Sequence, residues 1–333
     1  MARYGPQFGP DLTFLGVPSC DLTDPSTLSG AAAVIVGAPF DGGTSHRPGT
    51  RFGPQAMRQT DYLPHDGSRP HLALRTDGLR DLDVRDAGDV EMYAGDVERS
   101  IASLEEAVYA VTAAGAVPVV LGGDHTVTLP DATGVARHYG FGAVSMLHFD
   151  AHADTGDIEF GSLYGHGQPM RRLIESGALR GDRFVQIGLR GYWPGPETMA
   201  WMAAQDMRSY EMTEIGARGL DACLTEAFGR AMDGCEAVFL SVDVDVCDPG
   251  HAPGTGTPEP GGLSARELLD SVRRICLELP VAGIDVVEVS PPYDHAEITA
   301  YLGNRVVLEA LSAMVARRDG LSHDPAGPLL EGR

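Results

Sequence analysis

Paired cysteines, long apolar runs and an excess of basic residues are all missing from this sequence. Its five cysteines show no Cys-x-x-Cys spacing, which argues against both a disulfide framework and a zinc ribbon. No apolar run approaches membrane-spanning length, and Met1 to Asp21 lack a basic segment followed by an apolar core. We therefore expect a protein of the reducing cytoplasm that does not enter a membrane.

Basic residues are also few relative to acidic ones. Acidic residues outnumber basic ones by 47 to 25, and the formal net charge is -22. Nucleic acid needs a basic face to pair with its phosphates, so this charge argues against nucleic acid as a partner. The charge suits a small cationic ligand, although an acidic surface also serves solubility.

The length and composition predict one domain. The chain has 333 residues, of which 43% are hydrophobic and 22% charged, and this is enough to bury a substantial core. No linker-like stretch divides it, so we predict a single domain over residues 31–318. Residues 1–30 are expected to form an irregular arm and residues 319–333 a loose tail.

Short β-branched runs alternate with longer amphipathic stretches from about Ala33 onward. This alternation is typical of an α/β fold in which a parallel sheet carries helices on both faces. Eight strands are predicted, at Ala33–Gly37, Val84–Ala87, Val117–Leu121, Ala143–Phe149, Phe184–Leu189, Met207–Tyr210, Ala237–Val242 and Ala282–Val289. Seven helices are predicted, at Val97–Ala114, Thr128–His138, Pro169–Ser176, Pro196–Ala204, Gly219–Met232, Ala265–Leu279 and Glu297–Val315.

Three clusters of metal-ligand side chains follow the ends of predicted strands. They are His125, the trio Asp150, His152 and Asp154, and the pair Asp243 and Asp245. Residues two apart in an extended segment face the same way, so the side chains of each aspartate-rich segment are predicted to point together. One such segment alone is usually a turn or a helix cap, but three at strand ends favour a metal site. Six ligands exceed the need of one ion, and oxygen with imidazole suits a metal such as Mn²⁺.

Five ordered motifs make the chain resemble the ureohydrolases, the arginase and agmatinase family, and the agmatinase branch in particular. The motifs are GGDH at 122–125, DAHAD at 150–154, SVDVDVCDP at 241–249, APGTGTPEPGG at 252–262 and EVSPPYD at 288–294. The resemblance covers roughly residues 34–316. It implies a three-layer α/β/α fold with a central, mainly parallel eight-stranded sheet, and a site with two Mn²⁺ ions per subunit.

The resemblance also implies how the ligands divide between the ions. One ion would be held by His125, Asp150, Asp154 and Asp243. The other would be held by His152, Asp150, Asp243 and Asp245, so that Asp150 and Asp243 bridge. The same ligands would also accept Co²⁺, Ni²⁺ or Zn²⁺.

Further residues match functional positions of the family, which hydrolyses guanidino groups. A guanidinium carbon is a poor electrophile, so the attacking water must be activated. Two divalent ions that share this water molecule would lower the pKa of the water. Glu288 matches the family's guanidinium-binding glutamate, since a carboxylate pairs with guanidinium through two parallel bonds. Asp154 is expected to orient the nucleophile. His166 matches the proton-shuttling histidine, and its glycine neighbours predict an exposed, mobile loop, while Thr257 matches a substrate contact.

Two regions are interpreted without a role in the reaction. His148 lies in an apolar strand and is interpreted as a core or supporting histidine rather than a ligand. The glycine- and proline-rich residues 41–54 are interpreted as a structural loop near the rim of the site.

The loop Thr155–Tyr164 is predicted to choose the substrate. Its Asp157 and Glu159 would repel an α-carboxylate and could accept a terminal amine. This favours a small cationic substrate, agmatine, hydrolysed to putrescine and urea. The alternative is an ω-guanidino acid, such as 4-guanidinobutyrate or a proclavaminate-like compound, with Arg190 or an arginine at 47 or 51 as the carboxylate partner.

Two interpretations from other classes stay open. The chain could be a metal-binding regulator without catalysis, which the complete ligand set argues against. It could be a deacetylase-like amide hydrolase, but such sites use one zinc and lack this six-ligand set. Because the family forms trimers and hexamers, a homo-oligomer of that kind is expected, although the sequence indicates no interface.

Overall fold

Strands and helices alternate along the chain as the sequence pattern predicts. The computed structural model describes residues 12–62 and 70–321, and within these residues eight strands form one sheet. The strands are β1 Ala33–Gly37, β2 Val84–Asp89, β3 Val117–Leu121, β4 Val144–Phe149, β5 Phe184–Leu189, β6 Arg208–Glu211, β7 Ala237–Asp243 and β8 Val281–Val287. Their order is β2-β1-β3-β8-β7-β4-β5-β6, and every pairing is parallel. The predicted eight-stranded sheet is confirmed, and it is entirely parallel.

Ten α-helices connect or flank the strands in the described residues. They are α1 Gly53–Gln59, α2 Gly78–Asp81, α3 Val97–Ala113, α4 Thr128–Tyr139, α5 Pro169–Glu175, α6 Pro196–Ala204, α7 Met212–Arg218, α8 Leu220–Met232, α9 Ala265–Glu278 and α10 Ile298–Arg318. Helices α1, α2 and α7 lie outside the predicted ones. With 7, 4 and 7 residues they are too short for an apolar period to stand out in the sequence.

The sheet buries both faces. Ile35 of β1 lies in one apolar cluster with residues of α8, α9 and α10. Its neighbours Val34 and Val36 lie in a second cluster with residues of α3, α4 and α5. Because successive side chains of a strand point to opposite faces, this division produces the three layers that the resemblance implies.

The described part of the N-terminal arm is anchored to the domain. Phe14 is fully buried, and its main-chain N–H donates to Asp86 Oδ2 over 2.7 Å. Ser19 forms an isolated β-bridge with Asp86. The arm is thus irregular but packed, whereas residues 1–11 and most of the predicted tail, 322–333, lie outside the described residues. The domain boundaries at residues 31 and 318 stay a prediction.

None of the helices in the described residues combines the length and the apolar character needed to cross a bilayer.

Four neighbouring strands position the site. In the sheet order, β3, β8, β7 and β4 lie side by side at the centre. In open parallel sheets, ligands bind beyond the carboxyl ends of the strands. The last residue of β7, Asp243, and the segments that follow these four strands carry all the predicted ligands and Glu288.

Candidate functional site

The predicted metal ligands meet at the carboxyl edge of the sheet, but not because strand geometry continues. β4 ends at Phe149, and Asp154 has a left-handed φ of 50°. Asp150 Oδ1 accepts a hydrogen bond from the His152 main-chain N–H at 2.6 Å. Asp243 Oδ1 likewise accepts from the Asp245 N–H at 2.7 Å. Tight aspartate turns, rather than the alternation of a strand, turn these side chains toward one another.

His125 lies at the centre of the first group of ligands. Its Nδ1 is 3.0 Å from Asp150 Oδ2, 3.0 Å from Asp154 Oδ2 and 3.2 Å from Asp243 Oδ2. Yet this fully buried nitrogen makes no hydrogen bond of proper geometry. Its other nitrogen, Nε2, lies 3.1 Å from Ser241 Oγ. One nitrogen and three carboxylate oxygens therefore face a common point, as ligands of a cation do.

His152 lies at the centre of the second group. Its Nδ1 is 3.1 Å from Asp245 Oδ2 and 3.5 Å from Asp150 Oδ1. Asp150 belongs to both groups and faces each with a different oxygen. Among the described residues, two overlapping groups could each hold a metal ion: His125, His148, Asp150 and Asp154 in one, and Asp150, His152 and Asp245 in the other. Asp243 adjoins the first group through the 3.2 Å approach of its Oδ2 to His125 Nδ1.

The electrostatics of this cluster favour cations. Burial, followed by the charges of Asp245 and Asp150, raises the pKa of Asp243 well above its usual range. Four carboxylates this close cannot all stay ionised unless positive charge compensates them. The oxygen and imidazole donors fit two divalent ions of the Mn²⁺ type.

His148 lies close enough to the first group to count among possible ligands, but its hydrogen bonds indicate a supporting role. The Gln186 amide donates to His148 Nδ1 at 3.2 Å and to the Ala153 carbonyl at 2.7 Å. Ser209 donates to Gln186 Oε1 at 2.9 Å, which fixes the amide orientation. His148 Nε2 therefore carries the proton and donates to Asp150 Oδ2 at 2.9 Å. These contacts agree with the interpretation of His148 as a supporting histidine.

Glu288 follows β8 directly and has a left-handed φ of 64°. Its side chain is buried, and Oε1 accepts from the His125 main-chain N–H at 3.0 Å. The same oxygen lies 2.8 Å from His166 Nδ1. Oε2 is buried without a hydrogen-bond partner among the described residues. Glu288 thus lies behind His166, with one acceptor left free.

His166 is not the exposed, mobile group that its glycine neighbours predict. Only 9% of the residue is exposed, and its main-chain N–H donates to the Gly43 carbonyl at 3.0 Å. A Cβ on Gly43 would lie 3.0 Å from Gly165 Cα. The glycines therefore allow two loops to pack closely, and this packing buries the imidazole. Burial lowers the pKa of His166, but nearby carboxylates, Glu288 first among them, raise it to about 9.

A cavity of about 440 Å³ opens over the ligand cluster. Its wall consists of Ser45, His152, Asp154, Glu159, Phe160, His166, Gly167, Trp193, Asp243 and Thr257. Thr257 contributes a hydroxyl that donates to Asp245 Oδ2 at 3.4 Å. Glu159 is half-buried, and its pKa is raised by burial and by Asp154.

Four residues of this wall are not singled out by the sequence pattern: Ser45, Phe160, Gly167 and Trp193. Ser45 belongs to the glycine- and proline-rich loop, which was interpreted as structural with a place near the rim. Phe160 follows the predicted Glu159, but nothing in the pattern distinguishes it. Trp193 lies in a separate loop for which the sequence carries no signal.

Asp157, predicted to face the substrate, is not part of this wall. Its side chain is 56% exposed and pairs with Arg172 at 3.1 Å and Arg171 at 3.3 Å. Both arginines belong to α5, whose position relative to the loop the sequence did not indicate. Their positive charge turns Asp157 away from the cavity.

The arginines predicted for the alternative substrates are also occupied. Arg190 donates to the main-chain carbonyls of residues 188, 245, 246, 247, 259 and 260. Arg51 pairs with Asp41, and Arg47 lies over the ring of Tyr293 at 5.2 Å.

Comparison with known proteins places this geometry in a family. The model of the Arginase family matches residues 31–313. Proclavaminate amidinohydrolase of Streptomyces clavuligerus is 38% identical over 93% of this chain and 95% of its own length. The guanidinobutyrase of Pseudomonas aeruginosa is 37% identical over 94% of this chain and 96% of its own length. The mitochondrial agmatinase of Gallus gallus is 38% identical over 87% of this chain and 83% of its own length.

Solved structures agree. The structure of the Streptomyces clavuligerus enzyme matches with a TM-score of 0.82 at 34% identity, over 94% of this chain and 100% of that one. A Trypanosoma cruzi formiminoglutamase solved with Mn²⁺ matches with a TM-score of 0.78 at 27% identity, over 86% of this chain and 94% of that one. The ligand cluster is consistent with the Mn²⁺ site of such proteins. The chain therefore belongs to the arginase family and is an amidinohydrolase that acts on guanidino groups.

Proposed function

We propose that this protein is a binuclear manganese ureohydrolase that cleaves agmatine to putrescine and urea. The observation that carries the choice of agmatine is the charge of the cavity wall. Glu159 is half-buried on that wall, and none of the wall residues named above is an arginine. A terminal ammonium would gain an ion pair there, whereas a carboxylate would be repelled.

The amino-acid composition strengthens this argument. The sequence contains no lysine, so every one of its 25 strongly basic residues is an arginine. The three arginines predicted as carboxylate partners are Arg47, Arg51 and Arg190, which contact a ring, a carboxylate and main-chain carbonyls, respectively. Arg51 and Arg190 would have to give up these partners to hold a substrate carboxylate.

The chemistry follows from the arrangement of the side chains. Two Mn²⁺ ions held by the six ligands would supply a water molecule of lowered pKa and polarise the guanidino group. Glu288 is buried and is not among the wall residues of the cavity. Its Oε2, which has no hydrogen-bond partner among the described residues, is the acceptor proposed for the substrate guanidinium. Asp154, on the cavity wall, orients the nucleophile, and Thr257 contacts the substrate. His166 protonates the leaving amine, which would otherwise depart as an unfavourable anion.

A second candidate is an ω-guanidino acid. Proteins described as a guanidinobutyrase and a proclavaminate amidinohydrolase align over nearly the whole chain. Their identities of 38% and 37% differ by at most one percentage point from the 38% of the agmatinase. Sequence similarity therefore does not favour agmatine over an ω-guanidino acid, and the proposal depends on the charge of the cavity wall.

Urea release decides between these functions. The Mn²⁺-loaded protein is assayed with agmatine, arginine, 4-guanidinobutyrate, 3-guanidinopropionate and guanidine. We expect agmatine to have the highest kcat/KM. A ranking led by a carboxylate substrate would contradict the proposal, and no urea from any of them would favour a metal-binding regulator.

Glu159→Gln tests the wall directly. We expect KM for agmatine to rise about tenfold with little change in kcat, because a half-buried ion pair contributes on the order of 1 kcal/mol. Guanidine, which has no second amine, serves as the matched substrate and should be unaffected. An equal loss with both substrates would mean that Glu159 does not bind the distal amine.

The remaining expectations stand as proposals. We propose a trimer or hexamer, to be measured by light scattering. We also propose a cytoplasmic location, although the related agmatinase of Gallus gallus is mitochondrial. Fractionation of the source cells would test this location.

A further inference from the structure

Both ring nitrogens of His166 are engaged in the structure. Nδ1 lies 2.8 Å from Glu288 Oε1. Nε2 lies 2.6 Å from Ser45 Oγ, and the Ser45 main-chain N–H donates to it at 3.1 Å. The nitrogen that faces away from Glu288 is therefore covered by a single residue.

Ser45 can serve both protonation states of that nitrogen. Its main-chain N–H can only donate, so this bond requires an unprotonated Nε2. A protonated Nε2 would instead donate to Ser45 Oγ, because a hydroxyl both donates and accepts. The two contacts at one nitrogen thus match a ring that gains and loses its proton during turnover.

The position of Ser45 is set by the contacts of Gly43, two residues before it. The Gly43 N–H donates to Asp124 Oδ2 at 2.8 Å, and the Gly43 carbonyl accepts from the His166 N–H at 3.0 Å. Asp124 is itself buried and also accepts from the Thr126 N–H at 3.0 Å. Ser45 is therefore held against the imidazole.

Ser45 also lines two neighbouring cavities. It lies on the wall of the 440 Å³ cavity above the ligand cluster and on the wall of a neighbouring cavity of about 380 Å³. His166 lies on both walls as well. Exposed residues such as Asp96 line the second cavity, so solvent can reach the ring from that side.

We propose that the Ser45 hydroxyl relays a proton from His166 to the departing amine. This inference rests on the proposed function, hydrolysis of a guanidino group. As the C–N bond breaks, its electron pair stays on the amine nitrogen and takes the hydroxyl proton of Ser45. Ser45 Oγ takes the Nε2 proton in the same step, which leaves a neutral imidazole. Solvent in the second cavity returns a proton to the ring.

Ser45→Ala and Ser45→Thr test the relay. With agmatine, Ser45→Ala should lower kcat by about 100-fold, the lower range for loss of proton transfer, while KM changes little. Ser45→Thr, which keeps a hydroxyl, should recover most of the loss. Thr44→Val is the matched control, because the Thr44 hydroxyl makes only a 3.4 Å contact with Asp124 and does not touch His166.

A proton inventory separates a relay from a structural role. In mixtures of H₂O and D₂O, kcat of the wild-type protein should depend on deuterium content along a curve, as expected for two protons in flight. The residual kcat of Ser45→Ala should give a straight line. Mn²⁺ content and circular dichroism, unchanged from wild type, verify that the variant is folded.

The outcomes distinguish the two proposals. A Ser45→Ala protein with normal kcat, or with a loss entirely in KM, overturns the relay and leaves the proposed function intact. Absence of urea from the wild-type protein with every guanidino substrate overturns the proposed function and the relay together.

Discussion

The two sides of the cavity are built differently. The inner side is the six-residue ligand cluster, where His125 and Asp150 are fully buried at strand ends. The outer side is the wall formed by Ser45, Glu159 and Phe160 in loops, with Phe160 91% exposed. Main-chain turns next to a rigid sheet position the ligands, whereas contacts between loops position the outer wall. The reaction therefore depends on the sheet edge, and the substrate depends on the loops.

The two sides also balance their acids in different ways. On the inner side, several carboxylates face one another and need cations between them. On the outer side, Asp157 is balanced by two arginines and Glu159 is left for the cavity. If this comparison is correct, substitutions on the inner side change metal binding and those on the outer side do not.

The largest effect is expected from Asp150→Asn. This change removes the one carboxylate shared by both ligand groups. Bound Mn²⁺, measured by mass spectrometry of the dialysed protein, should fall, and kcat/KM should fall by more than about 100-fold, the upper range for residues that only support ligands. A variant that keeps two ions and most of its activity would break the comparison.

Gln186→Leu should have the next largest effect. The change removes the amide that fixes the His148 ring, which in turn orients Asp150. We expect Mn²⁺ affinity to fall about 10- to 100-fold, as for other partners of metal ligands, while KM at saturating Mn²⁺ stays close to wild type. Ser145→Ala is the control, since this buried hydroxyl makes only a 3.4 Å bond to the Ala237 carbonyl. Equal losses in the two variants would indicate a general packing defect.

Gly43→Ala should lower stability rather than metal binding. A Cβ there would lie 2.1 Å from Thr126 Oγ1, so one of the two packed loops must shift. The free energy of unfolding in guanidinium chloride should fall by about 1–3 kcal/mol, as is usual for overpacking. Gly216→Ala in α7 has open space around its Cβ and should be neutral or stabilising by up to about 1 kcal/mol. A stable Gly43→Ala protein would show that the outer loops are less closely packed than the structure indicates.

Asp157→Asn should have the smallest effect. The Asp157 side chain is 56% exposed, and both of its arginine partners also pair with Glu175, so the unfolding free energy should change by less than about 0.5 kcal/mol. KM for agmatine should match wild type, in contrast to Glu159→Gln. A marked rise in KM would return Asp157 to the substrate site and would require the loop to rearrange.

The inner side was predictable because its signal is local. Each ligand follows an apolar run, and parallel strands that lie side by side bring their ends to one edge. The argument from strand alternation was wrong for Asp154, however, because the main chain of Asp154 itself has a left-handed φ. The six predicted ligand residues lie together because several local geometries lead to the same edge, and their role as metal ligands stays a prediction.

The outer side was not predictable because its signal is distant. Ser45 and His166 are 121 residues apart in sequence, and their contact depends on two loops packing through glycine. Asp157 and Glu159 are indistinguishable in the sequence, and only the position of α5 pairs one of them with arginine. The absence of lysine, by contrast, was visible in the sequence and restricts any cationic side-chain partner of a carboxylate to arginine or histidine.

The sequence by itself determined the family, the parallel α/β sheet and the residues that form the ligand cluster, because strand periodicity and motif order are properties of neighbouring residues. Only the tertiary structure decided that His166 is buried against Glu288 and Ser45, and that Glu159 rather than Asp157 faces the cavity. These outcomes depend on contacts between loops far apart in the chain. Such contacts form when glycine allows close approach and when a neighbouring helix supplies the opposite charge.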